Sequence, residues 1–239
     1  MPDKEVEKCR IWYDQSYSQH GFSAQRRYPN EELCRFLGRE YGKVGRKGRG
    51  SIAVLEIGCG SCANLWMVAK EGFDAYGLDI SEKSLVLGRQ MLANWKVGGK
   101  LTSGSMTSMP YKNGKFDVVI DVLASYCLTE RDFRACLAEV RRVLRRGGKF
   151  FSYTLSSKSD AFRKHAPSKM LDAYTLDGIK RKTSPYHGND FPIRFATPQH
   201  YKKLLEDAGF AVEYLETTGR TYRGMKEYFE YITAVGVKK

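Results

Sequence analysis

Residues 51–60, SIAVLEIGCG, constrain the fold more than any other stretch of the chain. Positions 52–57 are apolar apart from Glu56 and show no alternation. A strand buried on both faces reads this way, and such strands belong to parallel sheets. Gly58 and Gly60 then remove Cβ atoms where the chain turns tightly or where a ligand packs on the backbone. The next residues, CANLWMVAKEG, have helical spacing and end at Gly72, a suitable C-cap. Parallel neighbours need crossover connections, so strands and helices are expected to alternate from here on.

The alternation continues. DAYGLDI reads as a second strand, and Ser81 opens a helix that runs to about Asn94. Residues 115–123, KFDVVIDVL, read as a third buried strand. TERDFRACLAEVRRVLRRGGK predicts an amphipathic helix capped by Thr129, with Phe133, Leu137, Val140 and Leu144 on one face and Gly147-Gly148 as its stop. KFFSYTL is the next strand. TPQHYKKLLEDAGF follows later as a helix with Thr197 as cap, Pro198 at its first position and Gly209 as its stop. AVEYLET and YFEYITAVGVKK read as closing strands. The expected fold is α/β, a Rossmann-like doubly wound sheet with helices on both faces.

Two segments stand outside this rhythm. Residues 1–45 carry helical spacing and many aromatics, with Pro29-Asn30-Glu31 as a helix start and a glycine-rich basic loop over 42–50. Residues 156–195 are polar, basic and aromatic with no clean period, and so long an excursion in a compact domain is usually functional. The expected organisation is a single domain over 1–239. Residues 1–45 and 156–195 form a lid over a ligand-binding core at 50–155, and 196–239 supply a last helix and the closing strands.

In such a sheet ligands bind at the carboxyl ends of the strands. Asp79 ends the second strand, 19 residues beyond Gly60 (79 − 60). That is near the ~20 residues that separate a glycine turn from a carboxylate on ribose hydroxyls. Cys59-Gly-Ser-Cys62 is also a C-x-x-C, the spacing of redox dithiols and of half a zinc site. No second cysteine pair or histidine cluster completes a zinc site, so no metal is expected and both thiols read as packing groups. The six cysteines follow no secreted disulfide pattern.

Four blocks in matching order, VLEIGCGSCANLW, YGLDIS, GSMTSMPYKNGKFDVVID and LAEVRRVLRRGGKFFSYTL, resemble the class I S-adenosylmethionine-dependent methyltransferases over residues 50–155. The resemblance implies seven strands with the last antiparallel, S-adenosyl-L-methionine as cofactor and S-adenosyl-L-homocysteine as product. It places Glu56, Gly58, Cys59 and Gly60 around the methionine portion, Asp79 on the ribose and Ile80 on the adenine. Ser105 and Met106 take the adenine edge, Ser105 standing where an acidic residue is frequent. Asp121 and Val122 border the transfer site, with Asp121 also a catalytic candidate, and Leu123 to Tyr126 line its mouth. Cys62 stands where glycine is more frequent. A dinucleotide-binding dehydrogenase would want a third glycine at position 63, which is Ala63.

The acceptor is less legible. His187, in SPYHGNDFPIRF, is the candidate general base, and a surface-loop histidine is the plainer reading. Arg194 suits an acceptor carboxylate or phosphate, or else a structural ion pair. Tyr17, Arg27, Tyr28 and Tyr126 are the remaining acceptor candidates, with Arg26 beside Arg27 also able to contact an anionic acceptor; the tyrosines equally suit core packing or closure over a sulfonium. The net charge of +13 and pI near 9.4 favour an anionic partner. The Lys and Arg residues are spread along the chain without a recognised module, so nucleic acid is the lesser alternative. No apolar run approaches the ~18 residues of a membrane span, and the charged N-terminus lacks a signal core. A cytoplasmic protein with no membrane partner, monomer or homodimer, is expected. The reading is methyl transfer to an O or N atom of a small, anionic molecule. RNA or protein methylation, or S-adenosylmethionine binding without catalysis, are the alternatives.

Overall fold

The computed structural model describes residues 4–239. Its main sheet has seven strands: β1 (Ala53–Ile57), β2 (Asp74–Asp79), β3 (Lys100–Ser103), β4 (Phe116–Val122), β5 (Leu144–Leu155), β8 (Phe210–Tyr222) and β9 (Glu227–Lys238). Two short strands, β6 (Thr175–Leu176) and β7 (Ile193–Arg194), form a separate ribbon. The strand order is β3-β2-β1-β4-β5-β9-β8. Strands β1 to β5 are parallel, and β9 runs antiparallel between β5 and β8. The fold is therefore the expected doubly wound α/β sheet, with its switch point at β1, flanked by β2 and β4.

Alternation within the strands divides the core into two layers. Val54, Val118, Ile120 and Phe151 pack with α2 (Glu31–Tyr41), α4 (Leu65–Lys70) and α5 (Glu82–Asn94). Leu55, Ile57, Val119 and Phe150 pack on the other face with α6 (Glu130–Val143) and α8 (Pro198–Asp207). Because both faces are covered, β1 and β4 are apolar almost throughout. The helix starts are where the sequence puts them. Asn30, Ser81, Thr129 and Thr197 accept hydrogen bonds from the backbone N–H groups of Leu33, Ser84, Asp132 and His200, satisfying donors that a helix start leaves free.

Three local expectations change. Helix α6 stops at Val143, ahead of Gly147-Gly148, because buried Leu144 pairs with Phe116 and begins β5, with a bulge after it. Strand β3 has no apolar run of its own: it is a short edge strand, largely exposed, held by pairing with β2. The 42–50 loop contains a helical turn, α3 (Arg46–Arg49). Residues 156–195 are mostly irregular, with one turn of helix, α7 (Asp160–Arg163), and the β6–β7 ribbon. Helix α1 (Lys4–His20) contacts α5. Its Trp12 indole donates to the Gly188 carbonyl at 3.3 Å, tying the two extra segments together.

Candidate active site

The carboxyl ends of β1, β2 and β4 open on a cavity of about 330 Å³, covered by α1, residues 24–26 and the loop at 185–189. Its wall on the β1 side is the glycine turn. Gly58 and Gly60 have φ of +59° and +52°, a left-handed backbone that favours glycine. A Cβ on Gly58 would stand 2.4 Å from the Ala124 Cβ, and one on Gly60 would stand 2.7 Å from the Tyr17 hydroxyl. Any side chain here would collide with the cavity's own walls.

Glu56 lines the cavity and is 3% exposed. Its Oε1 accepts from Asn64 Nδ2 at 2.6 Å, and Asn64 Oδ1 accepts from the Asn30 backbone N–H at 2.9 Å. Its Oε2 is buried and has no partner among the described residues. Burial pushes this carboxyl up to about 7, because a desolvated carboxylate resists ionisation. Asp79, at the end of β2, is fixed differently. Its two oxygens accept from the backbone N–H groups of Gly60, at 2.8 Å, and Ser81, at 2.9 Å. Burial raises its pKa too, against the pull of those two donors. Each oxygen keeps a lone pair for a further donor.

Ile80, Met106 and Val122 also line the cavity. Ser105 lies off it, beside a 30 Å³ annex shared with Met106 and Ile80, and its hydroxyl bonds to that of Thr107 at 2.8 Å. Cys59 borders the cavity and Cys62 does not. Both thiols are buried, and each sulfur stands 2.7 Å from where a Cβ on Gly77 or Gly88 would lie. They fill gaps left by those glycines. The adjacent Cys62 thiol and burial hold Cys59 well above the ordinary thiol range, the reverse of the thiolate that redox chemistry needs. Cys62 has φ +64°, a reason why glycine suits this position better.

Five expected site residues, Arg27 among them, lie away from the cavity and its annex. Asp121 is fully buried and its carboxylate holds the turn after β4, accepting from Ala124 N at 3.1 Å, Ser125 N at 3.0 Å and the Ser125 hydroxyl. Alternate residues of a strand face opposite sides, so Val122 reaches the cavity and Asp121 does not. Arg194 is 1% exposed, with its guanidinium 3.6 Å from the Phe133 ring centre and Nη2 donating to the Ser125 carbonyl at 3.3 Å. Strand β7 turns it into the core beside α6, away from the cavity. His187 is exposed on the outside of its loop, and Pro185, Tyr186 and Asn189 supply the cavity wall there. Tyr28 is 69% exposed.

Tyr17 and Tyr126 do line the cavity, whereas Arg27 gives way to its neighbour Arg26. Arg27 is exposed, its carbonyl taking the Trp66 indole N–H at 3.1 Å. Tyr126 shares a 2.9 Å hydrogen bond with Tyr13 of α1, and Trp12 and Tyr13 pack edge-on and tilted against Phe191 at 5.4 and 5.6 Å. Gln25, Asn64 and Asn189 are polar wall residues that the sequence reading missed. Only Asn64 had a signal, its place at the start of the helix after the glycine turn.

With this geometry in view, the comparisons are decisive about kinship. A methyltransferase-domain family model matches residues 54–148. A putative methyltransferase of Encephalitozoon cuniculi is 30% identical over 212 residues, covering 84% of this chain and 92% of that protein. The chain belongs to the class I S-adenosylmethionine-dependent methyltransferases. Other curated relatives are matched over less of their length: the Caenorhabditis elegans sterol 4-C-methyltransferase strm-1 is 27% identical, across 46% of this chain and 33% of its own. Among solved structures, the Burkholderia thailandensis 1,6-didemethyltoxoflavin-N1-methyltransferase, bound to its acceptor and S-adenosylhomocysteine, superposes with a TM-score of 0.71 at 14% identity, over 100% of this chain and 91% of that one. This methyltransferase shares its fold with them, and S-adenosylmethionine is the family's cofactor. No helix among the described residues is long and apolar enough to cross a membrane.

Proposed function

We propose that this methyltransferase transfers a methyl group to an oxygen or nitrogen of a small molecule bound between the aromatic lid and the carboxyl end of β4. The observation that carries the reading is one partly covered cavity with an unpartnered buried oxygen on Glu56, two glycines without room for Cβ, and a carboxylate at Asp79 fixed by backbone donors. These features fit S-adenosylmethionine. Glu56 Oε2 suits its ammonium group, Gly58 and Gly60 leave room for its methionyl chain, Asp79 suits the vicinal ribose hydroxyls, and Ile80 and Met106 offer apolar surface to the adenine. When bound, the cofactor supplies a methyl group already activated on a cationic sulfur. The protein's work is then to align the acceptor and to keep water out.

The second task falls to Trp12, Tyr13, Tyr126 and Tyr186, whose rings line the far side of the cavity. Aromatic faces attract a sulfonium as well as excluding water. Asn189, 7% exposed on the same wall, makes no side-chain hydrogen bond among the described residues and is free to orient an acceptor. A roofed cavity of this size supports a small molecule over a polymer, and the Burkholderia relative acts on one. His187, Asp121, Arg194, Arg27 and Tyr28 have no part in this reading, since none lines the cavity.

The test is transfer of label from [methyl-³H]S-adenosylmethionine to a panel of small phenols, carboxylic acids and amines, with bulk RNA and protein as competitors. Label on a small molecule, lost in Asn189→Ala with cofactor affinity retained, is the expected result. Label confined to RNA or protein would overturn the small-molecule reading.

A further inference from the structure

The lid segment also meets the cofactor cavity at one defined point. Tyr17 Oη and Gln25 Oε1 stand 2.7 and 3.4 Å from where a Cβ on Gly60 would lie, so residues 17–26 come down directly on the glycine turn. Arg26 is the next residue. It lines the cavity and makes no hydrogen bond or salt bridge among the described residues. It is also the one lysine or arginine among the described residues that line the cavity. Its charge acts on both the Glu56 carboxyl and the Tyr186 hydroxyl, while its side chain is otherwise exposed to solvent.

The amino-acid end of S-adenosylmethionine is a zwitterion, and Glu56 answers only half of it. An anion with a free oxygen suits the ammonium but repels the neighbouring carboxylate, so a cation is needed beside it. A guanidinium presents two parallel N–H donors that match a carboxylate. We propose that Arg26 pairs with the carboxylate of the cofactor's amino-acid end, opposite Glu56, so that the lid segment recognises the cofactor as a zwitterion. This rests on the cofactor placement given under the proposed function. It moves Arg26 from acceptor binding, which the sequence suggested for Arg26 and Arg27, to cofactor binding. It also gives the lid a reason to close only on a molecule that keeps its amino acid intact.

The test is calorimetric titration of the full chain and its Arg26→Gln and Arg26→Lys variants with three probes. S-adenosylhomocysteine carries both charges, decarboxylated S-adenosylhomocysteine keeps only the ammonium, and 5′-methylthioadenosine has neither. Arg26→Gln is expected to weaken S-adenosylhomocysteine binding by ~10- to 100-fold, the scale of a charge-assisted hydrogen bond. The other two affinities should be unchanged, which also shows that the variant is folded, and Arg26→Lys should recover part of the loss. An unchanged S-adenosylhomocysteine affinity in Arg26→Gln, or an equal loss for all three probes, would overturn the carboxylate assignment. Failure of the unaltered protein to bind any of the three would overturn the cofactor placement itself, and the clamp with it.

Discussion

Glu56 shows how a binding group is held ready at a cost to the empty protein. Burial raises its carboxyl from the ordinary 4.5 to about 7. A folded state that binds a proton more tightly than the unfolded chain loses stability as pH rises between those two values, and the loss is complete above 7. At one pH unit per 1.36 kcal/mol, the ceiling is about 3 kcal/mol. Glu56→Gln keeps the oxygen that accepts from Asn64 and abolishes the charge. Without cofactor, the variant is therefore expected to resist urea better than the parent at pH 8, by ~1–3 kcal/mol, with the gap closing near pH 4.5. Its affinity for S-adenosylmethionine should fall. Equal urea midpoints at pH 8 would contradict the buried-charge explanation.

At the same scale, the place of Glu56, Gly58, Gly60, Asp79 and Ile80 on the cavity was legible, because each belongs to a strand end or its turn, where apolar runs and glycines mark the position. Asn189 was not, and Arg26 was legible only as an acceptor contact. They sit in irregular segments whose place over the cavity is set by packing of Trp12, Tyr13 and Phe191, and no local period encodes that. Asp121 misled because its motif position is right while its side of the strand is wrong. Arg194 misled because a cation on an aromatic ring inside the core reads, in sequence, like a cation in a loop.

Among the elements, α1 carries the most consequence on the fewest ties. Asp14 accepts a hydrogen bond from the Ser81 hydroxyl, which also caps α5 beside Asp79. Tyr13 bonds to Tyr126, and Trp12 to Gly188. A helix outside the sheet, held by side-chain contacts and not by strand pairing, is expected to open at a free energy below global unfolding. Hydrogen exchange should show α1 amides exchanging faster than those of β1 and β4, and slowing when S-adenosylhomocysteine is added. Exchange in α1 that ignores the ligand would contradict its role as a lid. Asp14→Ala is expected to speed that exchange, since it removes a contact worth about 1 kcal/mol. The elements also show what patterning hides. Strands β1, β4 and β5 announce themselves by apolar runs, whereas β3 exists because β2 offers it an edge, and α6 ends early because β5 claims Leu144.

For the whole molecule, the sheet brings residues from β1, β2 and β4 to one end, and the two extra segments partly cover that end. Most of the cations behind the net +13 lie away from the cavity, some of them in surface pairs such as Arg35 with Glu31 and Lys203 with Asp207. Pairs of this exposed kind stabilise by a few tenths of a kcal/mol at most. The charge therefore bears on solubility and encounter more than on the cavity, where one cation and two carboxylates decide what fits. The central claim is that this cavity is the cofactor site, with Asp79 as its ribose anchor. Calorimetric titration of S-adenosylhomocysteine into the protein and its Asp79→Ala variant tests it most directly. One site per chain, weakened by ~10-fold or more in the variant, is the expected result, and the same affinity in both proteins would contradict it.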